Sequence, residues 1–305
     1  MKMNIGFIGL GMMGLPMLEN LAGGGDGFGI LAYDRDPARL ARLAAHPAWN
    51  KTLRPAAGLQ DLAGCDVVIT MLPDSTVTSA VIEGEPGRPG LAALLKPGSV
   101  LLDMGSSNPA ETLRLAPRLR QAGLTLIDAP VSGAVAKAAA GTLAIMVGAE
   151  ADDLERVRPI LSRMGASLIR TGATGSAHAM KALNNYVYAA GLLAASEALL
   201  IARRMDLDLD VFTDVLNASS GRNVATETKL RQFIVPGSYN GGFSLALMAK
   251  DLRTANALQS LAGVSAAQLS LCAELWQRAR EEMPAGADNT EIHRYLERLN
   301  APAPA

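Results

Sequence analysis

Short apolar runs alternate with amphipathic stretches through the first half of this chain of 305 residues. Residues 4–8, 30–33, 67–72, 100–103, 124–128 and 144–148 each read as a buried strand, and residues 167–170 as a shorter one. Helical periodicity over residues 110–122 and 151–164 lies between them. This rhythm predicts an α/β Rossmann arrangement, a doubly wound and mostly parallel sheet. After Thr174 the pattern changes, and only helical segments of about 12 residues or more are expected, with no convincing strand. The spacing therefore predicts a first domain over 1–174, an all-α domain over 175–300, and a disordered tail at 301–305. A long helix from about residue 178 to 205 would join the two domains rigidly.

The first strand runs into Gly9-Leu10-Gly11-Met12-Met13-Gly14, a second strand follows, and Asp34 ends it. Strand, glycine turn, helix, strand and terminal acid at this spacing point to a dinucleotide cradle. Gly9 permits the tight turn, Gly11 leaves room for a pyrophosphate at the helix start, and Gly14 allows close helix packing. Met12 and Met13 belong to the same cradle. Asp34 would bind the adenosine ribose hydroxyls and repel a 2′-phosphate, which favours NAD. Arg35 follows directly and would welcome a 2′-phosphate if Asp34 turned away, so NADP stays open.

Composition narrows the classes. A net charge of −1 and the lack of a basic block argue against nucleic acid or an anionic membrane as partner. Cys65 and Cys272 are far apart, which argues against a disulfide framework or a metal site, and each reads as a small buried hydrophobe. The first strand begins almost at once, leaving no room for a signal peptide, so a cytoplasmic protein is expected. Residues 187–202 are nearly all apolar, but Ser196 and Glu197 interrupt a run already short for a bilayer. That segment is expected to be buried within protein.

Candidate chemistry gathers where strand ends and the joining helix should meet. Lys181 and Asn185 are i and i+4, so they share one helical face. A lysine near a helix start, in a dry cleft, is suited to exchange a proton with an alcohol oxygen. Ser132 precedes Gly133 after the strand ending at Asp128, and Ser106 follows the strand ending at Asp103.

These residues carry a resemblance to the β-hydroxyacid dehydrogenases, the group that contains 3-hydroxyisobutyrate dehydrogenase and tartronate semialdehyde reductase. The matching motifs are Gly-Phe-Ile-Gly-Leu-Gly-Met-Met-Gly (6–14), Met-Leu-Pro (71–73), Asp-Ala-Pro-Val-Ser-Gly (128–133), Gly-Thr-Leu (141–143), Lys-Ala-Leu-Asn-Asn (181–185) and Leu-Met-Ala-Lys-Asp-Leu (247–252). The resemblance implies Lys181 as the acid/base group and Asn185 as its partner, holding substrate. It implies Ser132 and the Gly133 N–H as the carboxylate grip, Ser106 beside nicotinamide and substrate, and Leu72, Pro73 and Val77 along the cofactor. Lys250 would reach over the cofactor, while Phe243 and Asp251 would help close a lid. Homodimers or homotetramers are implied as well. Three departures stand out: Gly105 for a Ser or Thr, Ala134 for a second glycine, and Ala177-His178 for a Gly-Gln pair. His178 would either tune the lysine or cap the helix. Arg222 would contact a substrate anion or pair with an acid across a dimer.

The expected activity is NAD(P)-dependent interconversion of a small β-hydroxy acid and its semialdehyde or ketoacid. 3-Hydroxyisobutyrate comes first, with tartronate or succinic semialdehyde, L-serine and threonate as alternatives in the same family. A catalytically silent nicotinamide-binding sensor is the alternative of another class.

Overall fold

The computed structural model describes residues 2–25 and 27–301, so residues 302–305 of the expected tail lie outside the described residues. The chain separates into two compact units, Met1–Lys181 and Ala182–Ala305. The division falls inside a helix, Ser176–Arg204, rather than in the glycine-bearing turn before it.

In the first unit the strands are β1 (Met3–Ile8), β2 (Phe28–Tyr33), β3 (Leu53–Pro55), β4 (Val67–Thr70), β5 (Gly84–Glu85), β6 (Arg88–Pro89), β7 (Val100–Asp103), β8 (Thr125–Asp128), β9 (Val131–Ser132), β10 (Leu143–Gly148) and β11 (Gly165–Gly172). The main sheet has the order β11-β10-β8-β7-β4-β1-β2-β3, with β9 beside β10, while β5 and β6 form a separate pair. Pairing is parallel from β3 to β8 and again between β10 and β11. Within the main sheet β10 is antiparallel to β8 and β9, and in the separate pair β5 and β6 are antiparallel to each other. The order reverses beside β1, which puts the glycine turn at the switch point expected to bind a ligand.

The apolar runs fill both faces of this sheet. Val67 and Ile69 pack into one core and Val68 into the other, as Val100 and Leu102 do opposite Leu101. Successive strand residues face opposite sides, so burial on both sides demands continuous apolar runs rather than alternation. The fourth strand ends at Thr70, before Met71-Leu72-Pro73. Asp74 then caps the helix Ser75–Glu83, accepting from the Val77 N–H at 3.0 Å.

The second unit holds most of Ser176–Arg204, then Leu209–Ala218, a π-helical stretch Thr226–Ile234, Leu245–Ala262, Ala267–Glu282 and Ile292–Leu299. No strand follows β11 among the described residues. Three of these elements are shorter than the expected helix length, because turns at Ser219–Gly221 and Pro284–Gly286 interrupt the pattern. Leu192, Leu199, Leu230, Leu252, Trp276 and Tyr295 form its core.

The apolar stretch of Ser176–Arg204 is less buried than the sequence suggests. The helix is long and apolar enough to cross a membrane by length and composition, yet 44% of its most apolar window is buried. Ala189, Leu192 and Leu199 face inward, whereas Val187 and Ile201 stay exposed. A straight helix buries one stripe, and the opposite face stays outside it.

Candidate functional site

The glycine turn is shaped by backbone contacts that side chains would block. Gly9 has φ +97°, and a Cβ there would lie 2.3 Å from the Met71 carbonyl oxygen. A Cβ on Gly14 would lie 1.9 Å from the Gly9 carbonyl oxygen. Gly11 instead opens onto a cavity of about 440 Å³ lined by Leu10, Met12, Leu15, Arg39 and Arg42 among others. Met12 is exposed and Met13 half-buried. A turn left open at Gly11, ending at the helix start at Gly14, beside two guanidinium groups, fits the pyrophosphate of a dinucleotide.

Asp34 is buried at the end of β2. One carboxylate oxygen accepts from the Leu10 N–H at 2.7 Å and the other from the Asp36 N–H at 2.9 Å. Arg39, rather than Arg35, stands beside it, with a 3.4 Å ion pair, and Arg35 points to solvent. Asp34 therefore holds the glycine turn in addition to any ribose it binds.

The ends of β7 and β8 repeat that arrangement. Asp103 accepts from Thr70 Oγ1 at 3.0 Å, the Gly105 N–H at 3.1 Å and Ser107 Oγ at 2.6 Å. These bonds set the loop carrying Ser106. Gly105 is confined there, since a Cβ would meet the Leu72 carbonyl oxygen at 3.0 Å. Leu72 also adjoins the turn: its Cδ2 would lie 3.2 Å from a Cβ on Gly9. On the segment that follows, Pro73 is exposed and Val77 half-buried.

Asp128 accepts from the Gly175 N–H at 2.7 Å and the His178 N–H at 2.9 Å. It serves as a cap, supplied from a distant strand, for the helix carrying Lys181. The chain then forms β9, where Ser132 pairs with Ala144. Gly133 follows at φ +138° and Ala134 at φ +56°. The alanine thus keeps the left-handed backbone that a second glycine would adopt freely.

Because the helix begins at Ser176, Lys181 lies in its second turn and not its first. The helix dipole acts mostly within the first turn, so it offers Lys181 less than the sequence reading assumes. Lys181 is half-buried. His178 is fully buried and does not act as the cap, a role taken by Asp128.

In the second unit Asn185 is buried, accepts from Asn184 Nδ2 at 3.2 Å and donates to Asp251 at 2.5 Å. Lys250 pairs with the other Asp251 oxygen at 2.9 Å. Asp251 is buried among these partners. Phe243 is half-buried, and its N–H donates to Asp288 at 3.1 Å. Arg222 is exposed and pairs with Glu227 of the same chain at 3.5 Å. Asp103 and Asp128 act as structural anchors that the sequence signals only by an acid placed directly after an apolar run.

The two cysteines are buried and inert by environment. Burial is the main cause that pushes the Cys65 thiol up to about 11 and the Cys272 thiol up to about 12.

Comparison with known proteins divides the chain at residue 174, ahead of the helix Ser176–Arg204. Residues 4–173 match the NAD binding domain of 6-phosphogluconate dehydrogenase. Residues 175–296 match the NAD-binding domain of NADP-dependent 3-hydroxyisobutyrate dehydrogenase. The chain belongs to the NAD-dependent hydroxyacid dehydrogenases, the family of 3-hydroxyisobutyrate dehydrogenase. It is an oxidoreductase with an NAD-binding Rossmann domain and a helical C-terminal domain.

Among its relatives, 2-(hydroxymethyl)glutarate dehydrogenase of Eubacterium barkeri is 36% identical over 252 residues, 82% of this chain and 80% of that protein. NAD-dependent L-serine dehydrogenase of Pseudomonas aeruginosa is 31% identical over 300 residues, covering 96% and 97%. The structure of Mycobacterium tuberculosis 3-hydroxyisobutyrate dehydrogenase with L-serine superposes with a TM-score of 0.85 at 30% identity, covering 97% of this chain and 99% of that one.

Proposed function

We propose that this dehydrogenase acts on a small β-hydroxy acid with one carboxylate, 3-hydroxyisobutyrate or L-serine in type, and uses NAD in preference to NADP. Lys181 takes the hydroxyl proton in oxidation and returns it in reduction. Bound NAD supplies the hydride acceptor. Asn185 holds the substrate beside the lysine, while Ser132 and the Gly133 N–H bind the carboxylate and Ser106 lies at the reacting end. The turn Gly9–Gly14, Asp34, Leu72, Pro73, Val77 and Lys250 hold the cofactor, and Phe243 shapes the substrate pocket.

One observation carries this reading. On the helix bearing Lys181, the residue one turn further on the same face is a buried asparagine whose amide is fixed by Asp251. A surface lysine has no need of such a neighbour. Assembly as a homodimer or homotetramer is part of the proposal and is supported by exposed Val187, Ile201, Val211 and Val215.

Steady-state assay of 3-hydroxyisobutyrate, L-serine, D-glycerate, threonate and the matching semialdehydes, with NAD and NADP, tests it. One acid should turn over with kcat/KM of about 10⁴ M⁻¹s⁻¹ or better. Lys181→Ala should lower kcat by about 10²–10⁴ with little change in NADH affinity. Tight NADH binding with no turnover of any of these compounds would point to a silent sensor and sink the proposal.

A further inference from the structure

His178 has a place in the first unit that no capping role explains. Its imidazole is wholly buried, with 0% side-chain exposure. The Nδ1 atom lies 2.8 Å from Thr112 Oγ1 on the helix Pro109–Gln121. The Nε2 atom has no hydrogen-bond partner and faces Asp103 Oδ2 at the end of β7, 3.8 Å away. Asp128, at the end of β8, lies 4.0 Å from Nδ1 while accepting the backbone N–H of the same histidine. Three separate elements thus converge on one ring at the start of the helix that bears Lys181.

Protons can be distributed so that the contacts agree. With the hydrogen on Nε2, that N–H faces the Asp103 carboxylate, and the Thr112 hydroxyl donates to Nδ1. No net charge is then added between the two carboxylates. A ring bonded to Thr112 at Nδ1 and facing the Asp103 carboxylate at Nε2 restricts the rotation of its helical turn. Lys181 is three residues on, on the same helical face.

We propose that His178 is a positioning residue, a buried strap that sets the azimuth of Lys181 relative to the ends of β7 and β8. This rests on the reading of Lys181 as the proton-transfer group. The ring acts through geometry and touches neither substrate nor cofactor in this role. A misplacement of about 1 Å at a reacting group costs up to about 100-fold in rate, so a loosened strap should be visible in kcat.

The test compares the parent, His178→Leu, His178→Gln and Lys181→Ala, using whichever acid the parent turns over. His178→Leu removes both ring nitrogens but leaves the backbone N–H on Asp128. It should lower kcat by about 10–100-fold, with NADH affinity and the KM for NAD held within about twofold. The plateau of its pH–rate profile should fall without moving the ionisation limb. His178→Gln restores one donor and one acceptor and should recover most of kcat. Parental kcat in His178→Leu would overturn the proposal. So would a glutamine variant that binds NADH and melts normally yet stays slow. A shifted limb would overturn it as well, because it would mean that the imidazole acts by charge. Parental turnover in Lys181→Ala would instead sink the Lys181 reading itself.

Discussion

Asn185 and Asp251 are joined by a buried hydrogen bond of 2.5 Å, and the same carboxylate holds Lys250 at 2.9 Å through its other oxygen. The carboxylate therefore decides which way the asparagine amide faces. It leaves Asn185 Oδ1, which accepts from Asn184, on the opposite side of the amide.

Asp251→Asn should undo that choice. An amide can face Asn185 either way round, and it removes the charge beside Lys250. Hydrogen bonds to charged groups are worth about 1.5–3 kcal/mol, so the melting midpoint should fall by a corresponding amount. Turnover should fall as well, with substrate KM rising, because the orienting group for Asn185 is lost. Unchanged kinetics alongside a lowered midpoint would confine Asp251 to a folding role.

The glycine turn yields a contrast between two variants. Gly14→Ala forces a methyl to within 1.9 Å of the Gly9 carbonyl, so the turn must open and NADH binding should be lost. Asp34→Ala removes the acceptor for Leu10 and Asp36 N–H groups together with the ribose ligand. It should weaken NAD more than it improves NADP. Fluorescence titration with both reduced cofactors measures this, and a clean switch to NADP would show that Asp34 matters only for the ribose.

Ala134→Gly should stabilise the protein. Alanine at φ +56° costs roughly 1–2 kcal/mol relative to its preferred backbone, and glycine returns about 0.4–1 kcal/mol through added freedom in the unfolded chain. The net gain should be about 0.5–1 kcal/mol in urea unfolding. Because Ala134 follows the proposed carboxylate grip, substrate KM should be compared in the same variant. A loss of stability would mean that the alanine methyl contributes more packing than the backbone strain costs.

His293 should make the helical unit acid-sensitive. Burial pulls this imidazole below its usual range, outweighing the opposite effect of Glu297, while Arg203 adds to the lowering. The folded form thus takes up a proton less readily than the unfolded chain, whose histidines titrate near about 6.5. Stability is complete above that value and declines as pH falls through it toward the lower folded value. Urea midpoints between pH 8 and pH 5 should show this decline, and His293→Asn should flatten it. An identical slope in the variant would assign the acid sensitivity to other groups.

Much of the first unit was legible because strands buried on both faces write themselves as unbroken apolar runs, such as Val67–Thr70 and Val100–Asp103. β3 was not, since only Leu53 of its three residues is buried. β9 has two residues and no period to detect. The antiparallel setting of β10 was equally hidden, because side-chain alternation carries no information on strand direction. In the helical unit the π-helical Thr226–Ile234 departs from the 3.6-residue repeat on which helix recognition rests. For the site, spacing alone gave the glycine turn and the shared face of Lys181 and Asn185. The Asp251 contact was out of reach because it joins positions 66 residues apart.

Asp34, Asp103 and Asp128 have a joint consequence for binding thermodynamics. Each ends a strand and accepts N–H groups from loops that would meet a dinucleotide or its substrate, as far as 50 residues away in sequence. The first unit supplies its own anions to its binding loops, so those loops have little order left to gain when a ligand arrives. Less of the binding free energy is then spent on loop ordering. Calorimetric titration of NADH should accordingly show a heat-capacity change that the buried apolar area alone accounts for, with no added signature of coupled folding.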